Sequence, residues 1–323
     1  ITRRGHRVTM FSPCPRPADA LYDHTSVPVG NSMRTFRFAW NLRRVGLEQY
    51  DIIHAHGDDY WLWDKDLPPH VRTMHGSCFA EARHVPRLTE KLRMTMLGAS
   101  EVLATLVADR TICVSGNTRR YYPWVDDVIP NGVDLDSFSP GAVKEAEPTI
   151  LFVGTYNNRK RGKLLMKHFL EHIRPALPTA RLWMVCDDAP EAPGVTCFGR
   201  IDKDSLADLY RRAWVFCLPS SYEGFGVPYI EAMASGPPVV ATPNAGAKEV
   251  LDGGRYGALV EPEQLGGVLL GLLTDDMRRQ QLSKRGLIRA REYGWDRIVD
   301  EYETVYLSIR RGKSPARSLG SIA

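Results

Sequence analysis

The run 214–242, WVFCLPSSYEGFGVPYIEAMASGPPVVAT, most constrains what this chain can fold into. An apolar strand at 214–218 leads into a glycine-flanked loop at 220–226 and then a short helix over 229–234. Pro228 suits the first turn of that helix, where its missing N–H costs little, and Gly236 stands where the helix should stop. A second apolar strand at 238–242 follows at once, with another glycine-bearing turn at Asn244-Ala245-Gly246. Such a junction belongs to an α/β sheet whose strand ends gather backbone N–H donors and a helix dipole, a setting suited to phosphate. Glu223 and Glu231, eight positions apart, suit hydroxyls instead. Taken alone, they would be a solvated loop acid and a surface helix acid. Gly224 and Gly226 permit close backbone approach between them, which argues for more. Carboxylates that accept from sugar hydroxyls beside a diphosphate cradle describe a nucleotide-sugar site.

The same alternation recurs along the chain. Candidate strands lie at 7–11, 51–55, 72–74, 110–114 and 127–129, with helical stretches at 34–46 and 89–107. The stretch 139–148 is polar and rich in turn formers, and it reads as a linker. Strands then restart at 149–153, 181–186, 195–198, 214–218, 239–242 and 258–260, separated or followed by helices at 164–177, 203–213 and 277–292. Short, apolar, β-branched strands separated by helices predict doubly wound parallel sheets, covered on both faces. The expected organisation is a Rossmann-like domain at 1–142, a second at 149–294, a last helix within 295–311 and a tail at 312–323. That helix carries Ile298, Tyr302, Val305 and Ile309 on one face, and the basic tail is expected to fray.

Composition narrows the class. A length of 323 residues suits about two domains. Forty-two basic against 38 acidic residues leave a net charge of +4, too little for a concentrated nucleic-acid-binding face. Six scattered cysteines without a C-x-x-C pair read as buried thiols of a reducing compartment, not as a disulfide framework or zinc site. No apolar run is long enough to span a membrane, and no signal peptide is visible, so a cytoplasmic protein is expected. The chain opens on Ile1, and ITRRGHRVTMF reads as a helix end, a turn at Gly5 and a strand. A doubly wound domain should have a strand and glycine loop before that helix, so an amino-terminally incomplete chain is expected.

The segment EGFGVPYIE resembles the Glu, seven residues, Glu element of the retaining glycosyltransferases of the GT-B fold, family 4. The resemblance extends through RGHRVTMF (4–11), YDIIHAHG (50–57), VRTMHGS (71–77), ADRTICVS (108–115) and VIPNGVDLDSF (128–138). In the second half it covers LFVGTYNNRKRGKLL (151–165), 199–226 and YGWDRIVDEY (293–302), in the family's order over nearly the whole chain. It implies two facing Rossmann-like domains with a cleft between them and a last helix crossing back to the first.

The resemblance also implies roles. Glu231 would accept from the ribose hydroxyls and Glu223 from the donor sugar, while amides of the Gly224, Phe225, Gly226 and Val227 segment face sugar and phosphate. Gly154 ends a strand before a basic loop that would hold the diphosphate. The family places one basic residue directly after this glycine and another before the next. Arg161 matches the second; Thr155 stands in place of the first, a departure that Arg159 or Lys160 would cover. The alternative for each is a solvated basic loop. Phe198 and Arg200 fall in the loop that holds the nucleobase, and His75 falls where the family carries a histidine beneath the donor sugar. Catalytic roles are therefore expected for His75 and Glu223. His54 and His56 alternate on one strand, but no third metal ligand is apparent, and neither metal nor other cofactor is expected beyond the nucleoside-diphosphate sugar itself.

The expected reaction is hexosyl transfer, with retention, to a saccharide or lipid-linked saccharide acceptor. Two alternatives stand beside it: a nucleotide-sugar 2-epimerase of the same fold, which the Glu-x7-Glu pattern fits poorly, and a non-catalytic nucleotide-sugar-binding protein. One stretch bears on location. Arg34, Arg37, Arg43 and Arg44 interleave with Phe36, Phe38, Trp40, Leu42 and Leu47. An ordinary outer helix is the preferred reading, and peripheral contact with the inner face of the cell membrane is its competitor.

Overall fold

The computed structural model describes residues 1–18, 20–30, 33–63, 66–83, 85, 87–125 and 127–311. The tail at 312–323 lies outside the described residues. Its chain divides into two compact units, one of residues 1–114, 118–129 and those from Val299, the other of Ser115–Asn117 and Pro130–Ile298.

Strands of the first unit are β1 (Thr9–Ser12), β2 (Asp23–Ser26), β3 (Ile53–Ala55), β4 (His70–Met74), β5 (Arg110–Cys113) and β6 (Asp127–Val128). β3 to β6 form one parallel sheet in sequential order. β1 instead pairs in parallel with β2, in register Thr9 with Asp23. The sequence reading passed over β2 because Asp-His-Thr-Ser offers no apolar alternation. The helix Arg34–Leu42 turns Phe38, Ala39 and Leu42 inward, where Phe38 and Leu42 pack with Val27, Leu47 and Leu62. Its outer face carries Trp40, with the Arg43 guanidinium 5.2 Å from the ring centroid. That burial is what an outer helix covering a core requires.

A charged group lies inside this unit. Asp59 is fully buried and pairs with the Arg72 guanidinium and with His70 Nε2 at 2.9 Å. Burial pushes the His70 imidazole down to about 4, against the pull of Asp109. At neutral pH the ring is therefore uncharged. The charge of the Arg72 guanidinium beside it opposes the cost of burying the Asp59 carboxylate and ties the loop after β3 to β4.

The second unit holds β7 (Thr149–Val153), β8 (Arg181–Val185), β9 (Val195–Cys197), β10 (Val215–Leu218), β11 (Val239–Ala241) and β12 (Ala258–Leu259). All pairings are parallel, in the order β9-β8-β7-β10-β11-β12. Counted from β7, this is the doubly wound order 3-2-1-4-5-6, which reverses between β7 and β10. β10 is buried throughout, as a central strand covered on both faces should be.

The units divide at Ile129 and Pro130, ahead of the expected first-domain limit at 142. The stretch read as a linker is instead held to the second unit. Lys144 Nζ donates to the Ala213 carbonyl at 2.8 Å, Trp214 Nε1 donates to the Glu145 carbonyl at 2.7 Å, and Arg212 pairs with the Glu145 carboxylate at 2.6 Å. The helix Trp295–Arg311 is also divided, its residues to Ile298 counted with the second unit and those from Val299 with the first. Among the cysteines, Cys113, Cys186 and Cys217 are buried, whereas Cys14 and Cys197 reach solvent, so buried-thiol usage holds for only part of the set. No helix among the described residues is long and apolar enough to cross a membrane.

Candidate functional site

In a doubly wound sheet, ligands bind beyond the carboxyl ends of the two strands where the order reverses. Here those are β7 and β10, and the loops that follow them are joined. The Ser221 N–H donates to the Arg159 carbonyl at 2.8 Å, and Arg159 Nη1 donates to the Tyr222 carbonyl at 3.0 Å. Arg159 and Lys160 lie in a 3-10 turn, Asn158–Lys160, and Arg161 follows in the left-handed region at φ 55°. Gly154 begins this loop, and a Cβ there would meet Lys160 Cβ at 3.2 Å. Thr155 turns its hydroxyl to the Asn157 carbonyl at 2.9 Å.

Glu223 is only 5% exposed. Lys160 Nζ stands 2.7 Å from its Oε1 and Arg159 Nη1 stands 3.2 Å from its Oε2. The basic loop and the loop acid, read separately in the sequence, are thus one cluster. Arg161 makes no side-chain hydrogen bond or ion pair with a described residue, which leaves its guanidinium for a ligand.

Gly226 caps the helix Val227–Ser235 at φ 101°, with Pro228 in the first turn. Glu231 lies on this helix and accepts from the Tyr210 hydroxyl at 3.2 Å. Burial raises the Glu231 pKa above the ordinary glutamate value, while Tyr210, Lys203 and Lys160 pull it back. Phe225 packs its ring edge-on against Tyr293, with centroids 5.6 Å apart. Gly224 offers its carbonyl to the Ser115 hydroxyl at 2.8 Å.

The glycine-bearing turn at Asn244-Ala245-Gly246, noted in the sequence, supports this loop in two ways. Asn244 Nδ2 donates to the Ser220 carbonyl at 3.0 Å while its Oδ1 caps the helix Ala245–Val250 through the Ala247 N–H. Gly246 lies so close that a Cβ would stand 2.6 Å from the Phe225 carbonyl oxygen and 2.8 Å from that of Glu223. Both contacts are backbone and cannot swing away. Gly246→Ala is therefore expected to displace the Glu223 loop and weaken nucleotide-sugar binding about tenfold, read by calorimetry beside a melting curve. Unchanged affinity would show that the loop position does not matter. Tyr210 was missed, since nothing but the fold brings it to Glu231.

Phe198 and Arg200 follow β9, the edge strand, two strands away from β7. Phe198 packs edge-on against Trp183 at 5.8 Å, and the exposed Arg200 makes no hydrogen bond or ion pair with a described residue.

The first unit holds its own polar row. His75 follows β4 and is exposed, and its Nε2 lies 2.9 Å from His56 Nδ1, the rings stacked at 5.2 Å. Burial lowers the His56 pKa to about 4, with the charge of His75 second, although the residue as a whole is exposed. His54 is engaged at both nitrogens, by Tyr306 Oη at 2.6 Å and by Thr73 Oγ1 at 2.8 Å.

Comparison with known proteins agrees with these features. Residues 147–275 match the family model described as glycosyl transferases group 1, and residues 1–137 match that described as Glycosyltransferase Family 4. The chain is 30% identical to D-inositol 3-phosphate glycosyltransferase of Xylanimonas cellulosilytica over 312 residues, covering 83% of this chain and 74% of that one. It is 27% identical to phosphatidyl-myo-inositol mannosyltransferase of Mycobacterium tuberculosis over 349 residues, covering 95% and 89%. Among solved structures, sucrose-phosphate synthase from Thermosynechococcus elongatus shares the fold with a TM-score of 0.79 at 24% identity, over 95% of this chain and 90% of that one. The chain has the GT-B fold and belongs to the group 1, family 4 glycosyltransferases.

Proposed function

We propose that this protein transfers a hexosyl group from a nucleoside-diphosphate sugar to a saccharide or lipid-linked acceptor, with retention and without a metal ion. The observation that carries the reading is the meeting of the β7 and β10 loops, with Glu223 between Arg159 and Lys160 and Glu231 on the following helix. Cations and amides at a sheet's reversal point suit a leaving diphosphate, and the two carboxylates suit ribose and hexose hydroxyls.

In this reading Arg159, Lys160 and Arg161 take up the charge that develops on the departing phosphate. Glu231 orients the ribose and Glu223 the hexose. The acceptor hydroxyl enters on the face from which the diphosphate leaves, and a phosphate oxygen takes its proton, so no protein nucleophile is needed. His75 donates to the sugar or orients the acceptor. Two relatives are named for inositol-based acceptors, a D-inositol 3-phosphate and a phosphatidyl-myo-inositol. Such polyols are therefore the first acceptors to test, and a lipid-linked one would place the reaction at the inner face of a membrane.

The test is transfer from α-linked UDP-, GDP- and ADP-hexoses to inositol phosphate, phosphatidylinositol vesicles and simple saccharides, followed by proton NMR. An α-linked product supports the reading. A β-linked product contradicts retention, and a 2-epimerised nucleotide sugar formed without acceptor contradicts transfer.

A pH effect follows from Glu231. A carboxyl with a raised pKa stays charged above that pKa and loses its charge as the pH falls through it. Nucleotide-sugar affinity is thus expected to decline on acidification sooner than an ordinary glutamate would cause. Glu231→Gln should flatten this decline, measured by titration between about pH 7 and 5. A decline that persists unchanged in the variant would assign it to another group.

A further inference from the structure

We propose that Glu223, Arg159 and Lys160 form a specificity clasp, which favours the nucleotide sugar over the bare nucleoside diphosphate. The inference rests on the donor-site reading above and deepens it.

Glu223 is a nearly buried carboxylate whose two oxygens are divided between two cations, Lys160 at 2.7 Å and Arg159 at 3.2 Å. The loops that carry them are fastened by a main-chain bond, Ser221 N–H to the Arg159 carbonyl, and by Arg159 Nη1 donating to the Tyr222 carbonyl. The two loops therefore hold the three groups near one another. Removing the cations from a buried carboxylate is costly unless other donors replace them.

The two ligands differ in what they can replace. A bare diphosphate brings acceptors only, and it competes with Glu223 for the same two cations. A nucleotide sugar brings phosphate and hydroxyls together. Its phosphate draws on Arg159 and Lys160 while its sugar hydroxyls donate to Glu223 in their place, so the carboxylate stays satisfied. Arg161, whose side chain makes no hydrogen bond or ion pair with a described residue, is open to phosphate in both cases. The carboxylate thus penalises the product more than the donor, which aids product release.

The experiment is calorimetric titration with UDP, GDP and ADP and with their glucose and mannose derivatives. In the wild-type protein, the sugar nucleotide of the preferred base should bind at least as tightly as its diphosphate, although the diphosphate carries more negative charge. In Glu223→Gln, which keeps the side chain's shape and frees both cations, the diphosphate should bind about tenfold tighter than in wild type, and the preference for the sugar nucleotide should fall. In the double variant Glu223→Gln with Lys160→Met that gain should shrink, because the two groups act as a pair.

A wild-type protein that binds the diphosphate tenfold tighter than the sugar nucleotide overturns the clasp, even if the variant fails to fold. A folded Glu223→Gln with unchanged or weaker diphosphate binding overturns it too; in both cases the donor site stands. Absence of binding by wild type for every nucleotide overturns the donor site and the clasp with it.

Discussion

Glu231→Ala is expected to weaken nucleotide binding about a hundredfold, while Glu231→Gln costs less. Hydrogen bonds to a charged group contribute about 1.5–3 kcal/mol each when their partner is desolvated, and a ribose offers two hydroxyls to one carboxylate. The site is built for this. Glu231 sits on a helix whose residues Tyr229, Ile230, Ala232, Met233 and Ala234 are buried, so its backbone has little freedom. Tyr210 fixes one oxygen from the next helix. Removing the carboxylate also leaves the fully buried Tyr210 hydroxyl with only the long contact to the Pro228 carbonyl at 3.5 Å, so a lower melting temperature should accompany the lost affinity. Tyr210→Phe separates the two effects. It leaves the carboxylate in place and should cost affinity only modestly. Binding by Glu231→Ala equal to wild type would remove the ribose role.

His75→Ala is expected to lower kcat by about 10²–10³-fold with little effect on the melting temperature or on nucleotide affinity. The side chain is exposed at the end of β4, so its loss leaves no cavity. Its role rests on orientation, and His56 holds Nε2 at 2.9 Å with the rings stacked. With the His56 pKa lowered to about 4, that ring is neutral near neutral pH, so the pair shares a single hydrogen bond rather than a repulsion. His56→Phe should therefore reproduce part of the His75→Ala loss in kcat, while the stacking surface is kept. If His75→Ala retains full turnover on an acceptor that wild type uses, His75 is not part of the reaction.

Much of the second unit was legible from local pattern. β7 carries five apolar or β-branched residues bounded by Pro148 and Gly154, and the structure begins and ends it at Thr149 and Val153. The Glu223 loop announced itself through paired glycines, Pro228 and Gly236, and the helix observed between them extends the expected one by two residues at the start and one at the end. What escaped falls under two physical causes. Some elements carry the wrong local signal: Asp-His-Thr-Ser is too polar to read as a strand, and the helix Leu265–Thr274 is apolar on every side, so no period shows. Others exist only through long-range packing. Nothing in the sequence ties Tyr210 to Glu231, or places Arg159 and Lys160 on the Glu223 carboxylate 64 and 63 positions away. The linker reading shows the same long-range origin. Residues 139–148 look like a linker because they are polar, yet polar groups there find Ala213, Trp214 and Arg212 as partners.

The central claim is that a nucleotide sugar occupies the carboxyl ends of β7 and β10. Hydrogen–deuterium exchange, with and without the best-bound nucleotide sugar at saturating concentration, tests it most directly. The account predicts added protection across 155–162 and 220–231, absent in Glu231→Ala at the same ligand concentration. Protection confined to other segments of a protein that demonstrably binds the ligand would contradict it.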